Sequence, residues 1–363
     1  MTGGPARVLW LAKGLGRGGA EQLLLNCARH VDRSRFAVEV AYVLPHKDAL
    51  APALEAAGVP VHCLGGAPAR RWPLRLRALL AERRYDLVHT HMPVPAVAAR
   101  LLTVGRGTRL VHTEHNLWER YRLPTRWANA LTYGRNDAVV AVSHAVAAGI
   151  GRRRPGDRLT VVHHGPDLGD APSGPAARRA ARAELGLPDD ALVIGTVGNL
   201  TAKKDQATLL TAFALLRRAH PNARLVLVGS GPLEARLRQL AGEGVLFAGS
   251  RGDVPALLPG WDVFCLSSRQ EGLPVALMEA MTSGLPSVVT RVGGMPEVLD
   301  DGVEGRLVSP GDPAQLAAAL EELASDIGLR GRMGAAARER SKSFDVAGAQ
   351  RAVERVYARV LAR

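Results

Sequence analysis

Val263-Phe264-Cys265-Leu266-Ser267, followed by Ser268-Arg269-Gln270-Glu271-Gly272-Leu273-Pro274-Val275-Ala276-Leu277-Met278-Glu279-Ala280-Met281, reads as a buried strand, a turn and a helix. Pro274 suits the first helical position, and Gly284 followed by Pro286 closes the helix. Such a helix begins with backbone N–H groups near Gly272 and Leu273 that have no intrahelical acceptor, a ready site for a phosphate. Its body is almost entirely apolar, as in a helix buried within a domain. Glu279 is therefore expensive, and no Lys or Arg lies within a helical turn to pair with it. A ribose, with its vicinal hydroxyls, would satisfy the carboxylate. A solvated stripe, or an Arg brought from elsewhere, would do so equally well.

The same unit recurs outward from this segment. Strands are expected at about Arg7–Ala12, Ala37–Val43, Pro60–Leu64, Leu87–Thr90, Arg109–Thr113 and Ala138–Ser143 in the first half. In the second half they are expected at Leu192–Gly198, Arg224–Val228, Val245–Ala248, Val263–Ser267, Ser287–Thr290 and Gly305–Val308. Helix-length amphipathic stretches separate them, the pattern of an α/β chain with parallel sheets and crossover helices. The 363 residues suit two domains, each a doubly wound, Rossmann-like sheet. The span Asp167 to Asp190, with Pro172, Gly174, Pro175 and Pro188, reads as a short linker that admits no long element. The domains are then 1–170 and 171–344. A closing stretch, 345–363, carries Val346, Val353, Val356 and Val360 on one stripe and must pack on one of the lobes, the first being a candidate.

Composition narrows the function. With 47% apolar and 22% charged residues and no apolar run long enough to span a bilayer, the chain is expected to be soluble. The N-terminus lacks the pattern of a secretory signal, and Cys27, Cys63 and Cys265 read as buried thiols of a reducing cytoplasm. Residues 1–180 hold 26 Lys plus Arg against 13 Asp plus Glu, and the remainder 21 against 21, so the whole net charge of +13 lies in the first half. A basic lobe suits an anionic partner, such as a membrane surface or a phosphorylated acceptor, although solubility alone would also explain it. Arg70 to Leu80, basic with Trp72 and several Leu, is the candidate for lying on an anionic surface at the inner face of the cytoplasmic membrane. The alternative is an ordinary surface helix with its Leu stripe in the core. Nucleic acid is not expected, since aromatic residues make up only 4% and are dispersed.

Glu271 and Glu279 are poorly placed as a hydrolase pair. Eight helical residues rise ~12 Å, against ~5–9.5 Å between paired glycosidase carboxylates, so the two suit opposite ends of one extended ligand. At these residues the sequence resembles the retaining glycosyltransferases of family 4, whose hallmark is two Glu separated by seven residues in a strand, loop and helix. The likeness continues in Val197-Gly198-Asn199-Leu200 through Lys204, in Val228-Gly229-Ser230-Gly231-Pro232, in Val292-Gly293-Gly294-Met295-Pro296-Glu297, and at the front in Gly16-Arg17-Gly18-Gly19-Ala20-Glu21. It spans about residues 7 to 340.

The resemblance implies a GT-B architecture, two facing Rossmann-like lobes around a cleft. It places a nucleotide-diphosphate sugar mainly on the second lobe and a glycan, lipid-linked or small-molecule acceptor on the first, as in polysaccharide assembly. By the same resemblance Lys204 neutralises the diphosphate, while Glu271 with the Gly272 and Leu273 amides holds sugar and phosphates. Glu279 binds ribose, Gly198, Asn199 and Gly229 line the donor, Gly16, Gly18, Gly19 and Glu21 form the acceptor-side loop, and His115 approaches the anomeric centre. Two positions depart from the family: Asn199 stands where Arg is common, and His164 where Asn is common. Positioned cations and amides aimed at the departing diphosphate would stabilise its developing charge. No two Asp residues are separated by a single position, so neither a metal nor a cofactor is expected. The pairs His89/His91, His112/His115 and His163/His164 lack accompanying ligand spacing.

Three rivals remain at this point. Gly14, Gly16 and Gly19 with Glu39 match the dinucleotide fingerprint, but Glu39 falls mid-strand, where it would not reach a ribose. A nucleotide-sugar epimerase or hydrolase of the same fold is the closest alternative. A non-enzymatic module docking on membranes is the third.

Overall fold

The computed structural model describes residues 4–16, 18–150, 156–167 and 172–363. The chain forms two compact units, one comprising Met1–Asp167 with Val346–Arg363, the other Leu168–Asp345. The first holds a sheet of β1 (Ala6–Ala12), β2 (Phe36–Tyr42), β3 (Val61–Cys63), β4 (Leu87–Thr90), β5 (Arg109–Glu114), β6 (Ala138–Ala141) and β7 (Leu159–Val161), in the order β3-β2-β1-β4-β5-β6-β7. The second holds β8 (Val193–Val197), β9 (Arg224–Val228), β10 (Val245–Gly249), β11 (Val263–Leu266), β12 (Ser287–Thr290) and β13 (Gly305–Val308), in the order β10-β9-β8-β11-β12-β13. The named strands pair in parallel throughout, and their central members are buried along their length because crossover helices cover both faces.

β7 is the one strand that sequence reading did not anticipate. It is a three-residue edge strand of half-buried residues, too short to stand out from the loop around it. The linker span also differs from expectation, since Gly174–Glu184 is an 11-residue helix; residues 168–171 of that span lie outside the described residues. Pro175 stands at the helix start, where its missing N–H costs nothing. The helix is held to the second sheet by Arg182, which is buried and donates to Asp262 Oδ2 and to the carbonyls of Gly260, Pro188 and Asp189. Another difference is Cys63, which is exposed, whereas Cys27 and Cys265 are buried. Burial pushes the Cys27 thiol up to about 12.

The closing helix, Val346–Leu361, belongs to the first unit and buries Val346, Val353, Val356 and Val360 in that unit's core. Tyr357 anchors it: its hydroxyl accepts from Trp10 Nε1 at 2.9 Å and lies 2.5 Å from His89 Nδ1. In helix Trp72–Arg83, for which an anionic surface and the core were both open as partners of the Leu stripe, part of that stripe turns to the core. Leu76 and Leu80 enter the core, and Arg75 donates to the carbonyls of Leu64, Gly65 and Ala67.

Candidate functional site

In the second sheet the chain order reverses at β8, which pairs with β9 on one side and β11 on the other. Loops leaving the carboxyl ends of two such neighbours diverge and leave a crevice where ligands of open α/β sheets bind. Lys204 follows β8 and Glu271 follows β11. Lys204 Nζ donates to Glu271 Oε1 at 2.5 Å, and Ser268 Oγ donates to the same oxygen at 2.6 Å. Burial alone would raise the Glu271 carboxyl, yet the Lys204 ammonium and the two hydrogen bonds hold it below the usual carboxylate value.

The backbone around this pair is fixed by further contacts. Ser267 Oγ donates to the carbonyls of Lys204 and Asp205, the Arg269 amide to the Lys203 carbonyl, and Arg269 pairs with Asp205 at 2.8 Å. Asp205 itself sits at φ 47, a left-handed conformation that non-glycine residues rarely adopt. From the β12 side, Gly293 approaches so closely that a Cβ there would lie 1.9 Å from the Glu271 carbonyl oxygen, and the Gly294 amide donates to Gly272 O. Gly229, at φ 139, passes Gly198 in the same way, with 2.1 Å to the Gly198 carbonyl oxygen. Gly198 in turn leaves room for the Lys204 stem. Asn199 is exposed, and its carbonyl accepts from Gln206 Nε2.

Helix Val275–Thr282 follows, one residue later than expected, with Pro274 as N-cap. It ends in a Schellman turn: Leu285 N–H donates to Ala280 O and Gly284 N–H to Met281 O, with Gly284 at φ 73. Leu273 is buried at its start. Glu279 is half-buried, and among the described residues its carboxylate meets no cation and no hydrogen-bond donor. Burial pushes its pKa up to about 7. The Arg from elsewhere, one of the readings open to this residue, is therefore absent from its surroundings among the described residues.

In the first unit, His115 lies just beyond β5, with Nε2 3.2 Å from His91 Nδ1 and its ring 6.4 Å from that of His164. Burial, reinforced by the imidazoles around it, pushes His115 well below the usual histidine value, so it is neutral at pH 7. His91, His115, His164 and His89 line a cavity of about 20 Å³ together with Trp10, Tyr357 and Leu23 of helix Gly19–Arg29, enough for a water molecule. Only the fold, which sets β1, β4 and β5 side by side, brings His91 to His115.

The glycine loop lies beyond β1. Gly18 is the N-cap of helix Gly19–Arg29, and Glu21 folds back on it, so that a Cβ at Gly18 would lie 2.3 Å from the Glu21 carboxylate. A Cβ at Gly16 would meet the Lys47 side chain only at ordinary van der Waals distance, 3.9 Å, and Arg17 lies outside the described residues. Glu39 is accounted for structurally. It accepts from Tyr85 Oη at 2.6 Å, with His62 Nε2 at 2.7 Å, in the middle of β2, which removes the ribose partner a dinucleotide site needs.

Comparison with known proteins gives these loops a family. The Glycosyltransferase Family 4 pattern matches residues 17–170, and that of Glycosyl transferases group 1 matches residues 177–340. EpsF of Bacillus subtilis (strain 168) is 30% identical over 80% of this chain and 80% of its own length. The D-inositol 3-phosphate glycosyltransferase of Saccharomonospora viridis is 31% identical over 75% of this chain and 69% of its own. The fold superposes on Anabaena Alr3699/HepE in complex with UDP-glucose, with a TM-score of 0.88 at 23% identity, covering 97% of this chain and 99% of that one. Two parallel α/β units in this strand order, carrying matched loops in matched sequence, make the chain a GT-B protein and a member of glycosyltransferase family 4.

Proposed function

We propose that this glycosyltransferase moves a sugar, with retention of anomeric configuration and without a metal ion, from a nucleotide-diphosphate sugar to a hydroxyl of a glycan, lipid-linked or small-molecule acceptor. The observation that carries the donor assignment is the crevice between the β8 and β11 loops. It presents a cation at Lys204, a fixed carboxylate at Glu271 and, on the helix that follows, a carboxylate at Glu279 without a protein partner. Diphosphate oxygens compete with Glu271 for the Lys204 ammonium, and ribose hydroxyls donate to Glu279. HepE, of the same fold, is known in complex with UDP-glucose, which supports a donor of this class.

In this reading the departing diphosphate gains negative charge as the glycosidic bond breaks, and Lys204 stabilises it with no reorganisation of the loop. Glu271, released from Lys204, holds the sugar together with the Gly272 and Leu273 amides, and Gly198, Asn199 and Gly229 border the nucleotide. His115, neutral and in the first unit, is assigned to the sugar's reacting end, and the loop of Gly16, Gly18, Gly19 and Glu21 to the acceptor.

A thermal-shift series with uridine, guanosine, adenosine and thymidine diphosphates tests the reading. Selective stabilisation by one of them is expected, and it also names the donor base. Stabilisation by none, or free sugar or an epimer as sole product from every nucleotide sugar supplied with acceptors, would overturn it.

A further inference from the structure

The helix Leu123–Thr132 is built inside out. Asn129 is fully buried and Thr132 is 7% exposed, while Leu123, Trp127 and Leu131 are 67%, 66% and 82% exposed. Side chains four residues apart share one face, so these three form a single outward apolar stripe. A helix lying on a sheet ordinarily turns such a stripe inward. The polar inner face has its own partner: Arg100, buried on the neighbouring helix Pro93–Leu102, donates to Asn129 Oδ1 at 2.6 Å and to Thr132 Oγ1 at 3.3 Å. Its Nε donates to Asn136 Oδ1, and its guanidinium lies 5.1 Å from the Tyr133 ring centre.

Arg100 thus fastens the two helices side by side, and Leu101 on the first of them and Val104 just past its end are exposed as well. Six of the ten large apolar side chains exposed among the described residues fall between Val94 and Leu131. This concentration is unlike the scattered apolar exposure of an ordinary surface.

The exposed charge of this segment is mostly positive. Arg106, Arg122, Arg126 and Arg135 are exposed around the stripe. Between residues 92 and 136 the only acids are Glu114 and Glu119. Glu114 is buried and accepts from Trp118 Nε1 and Tyr121 Oη, which leaves Glu119 as the one exposed carboxylate. A symmetric contact with a second copy would set arginine against arginine. Lipid phosphates instead meet every guanidinium while Trp127 and the leucines enter the boundary of the acyl chains.

We propose that this face of the first unit docks on an anionic phospholipid bilayer. The inference stands on the helix and its charges, independently of the glycosyl-transfer reading, and the nucleotide experiment above fails or succeeds separately from it.

Flotation with vesicles of phosphatidylcholine alone, and of phosphatidylcholine mixed with phosphatidylglycerol, tests it at physiological salt. The full chain is expected to float with the mixed vesicles only. The pair Trp127→Ser with Leu131→Ser, and separately Arg122→Glu with Arg126→Glu, should each lower the bound fraction about tenfold, because one removes the inserted apolar area and the other the attraction. Circular dichroism melting should show each pair folded. The proposal falls if the native chain ignores the mixed vesicles, or if both pairs bind as the native chain does. It falls equally if sedimentation velocity shows the pairs dissociating an oligomer while vesicle binding persists.

Discussion

Lys204 and Glu271 stand 67 residues apart in the chain and 2.5 Å apart in space, because the strands that precede them are neighbours at the point where the sheet reverses its order. Their pairing keeps a buried carboxylate charged and fixes the Lys204 ammonium between the β8 and β11 loops.

Removing one partner leaves the other uncompensated. Lys204→Ala should destabilise the protein by about 3–5 kcal/mol, the usual cost of stranding a buried charge. Lys204→Ala combined with Glu271→Gln should recover much of that loss in denaturant melts. Neither variant should show the thermal shift with nucleoside diphosphate. If the single variant melts as the native protein does, the pair contributes nothing to stability.

Glu279 gives a pH signature of definite sign. Its pKa in the fold, about 7, lies above the ordinary 4.5, so the folded state binds the extra proton and stability declines as pH rises from about 4.5 through 7. Glu279→Gln should erase that decline and be more stable at pH 8 by about 2 kcal/mol, allowing for the water that still reaches a half-buried group. Nucleotide binding should release a proton near pH 6.5, measurable by calorimetry in buffers of different ionisation enthalpy, and Gln should abolish the release. Unchanged nucleotide affinity in Glu279→Gln would remove the ribose assignment.

Gly293→Ala tests the close approach of the two loops. The new methyl would meet the Glu271 carbonyl at a position where φ is already 53. A loss of about 2–4 kcal/mol is expected, from overpacking together with left-handed strain, with weakened nucleotide binding. Retention of native stability would mean that the loop yields.

Tyr357→Phe removes a hydroxyl shared by Trp10 Nε1 and His89 Nδ1, all three groups being buried. Stranding the indole N–H should cost about 1–3 kcal/mol in urea melts. A neutral result would show that water fills the place of the hydroxyl.

His115→Ala should lower kcat about 100-fold with the thermal shift for nucleotide retained, since the residue belongs to the first unit and is assigned to the sugar's reacting end. Equal losses in nucleotide binding and kcat would assign it a structural role instead.

The sequence carried the repeating elements because a parallel strand buried on both faces must be a largely apolar run, and the central strands of both sheets announce themselves that way. The three half-buried residues of edge strand β7 carry no such requirement and were missed, whereas β3, an edge strand of the same length, was anticipated within the longer stretch Pro60–Leu64. Pro and Gly between Pro172 and Pro188 suggested a break, yet Pro175 opened a helix, because proline's effect depends on the position it takes within a turn. The Arg70–Leu80 stretch and helix Leu123–Thr132 show the same limit: composition alone does not say which face of a helix meets the core.

The glutamates, the lysine and the glycines of the candidate site were all legible one by one, since each sits in a strand-end loop or on the helix that follows it. Their partners were not. Ser268 on Glu271, Gly293 against its carbonyl, His91 beside His115 and Tyr357 on Trp10 join residues far apart in the chain, and only strand order decides which loop ends become neighbours. Local physics fixes what each segment is, whereas contacts at long sequence separation exist only once the sheets are assembled.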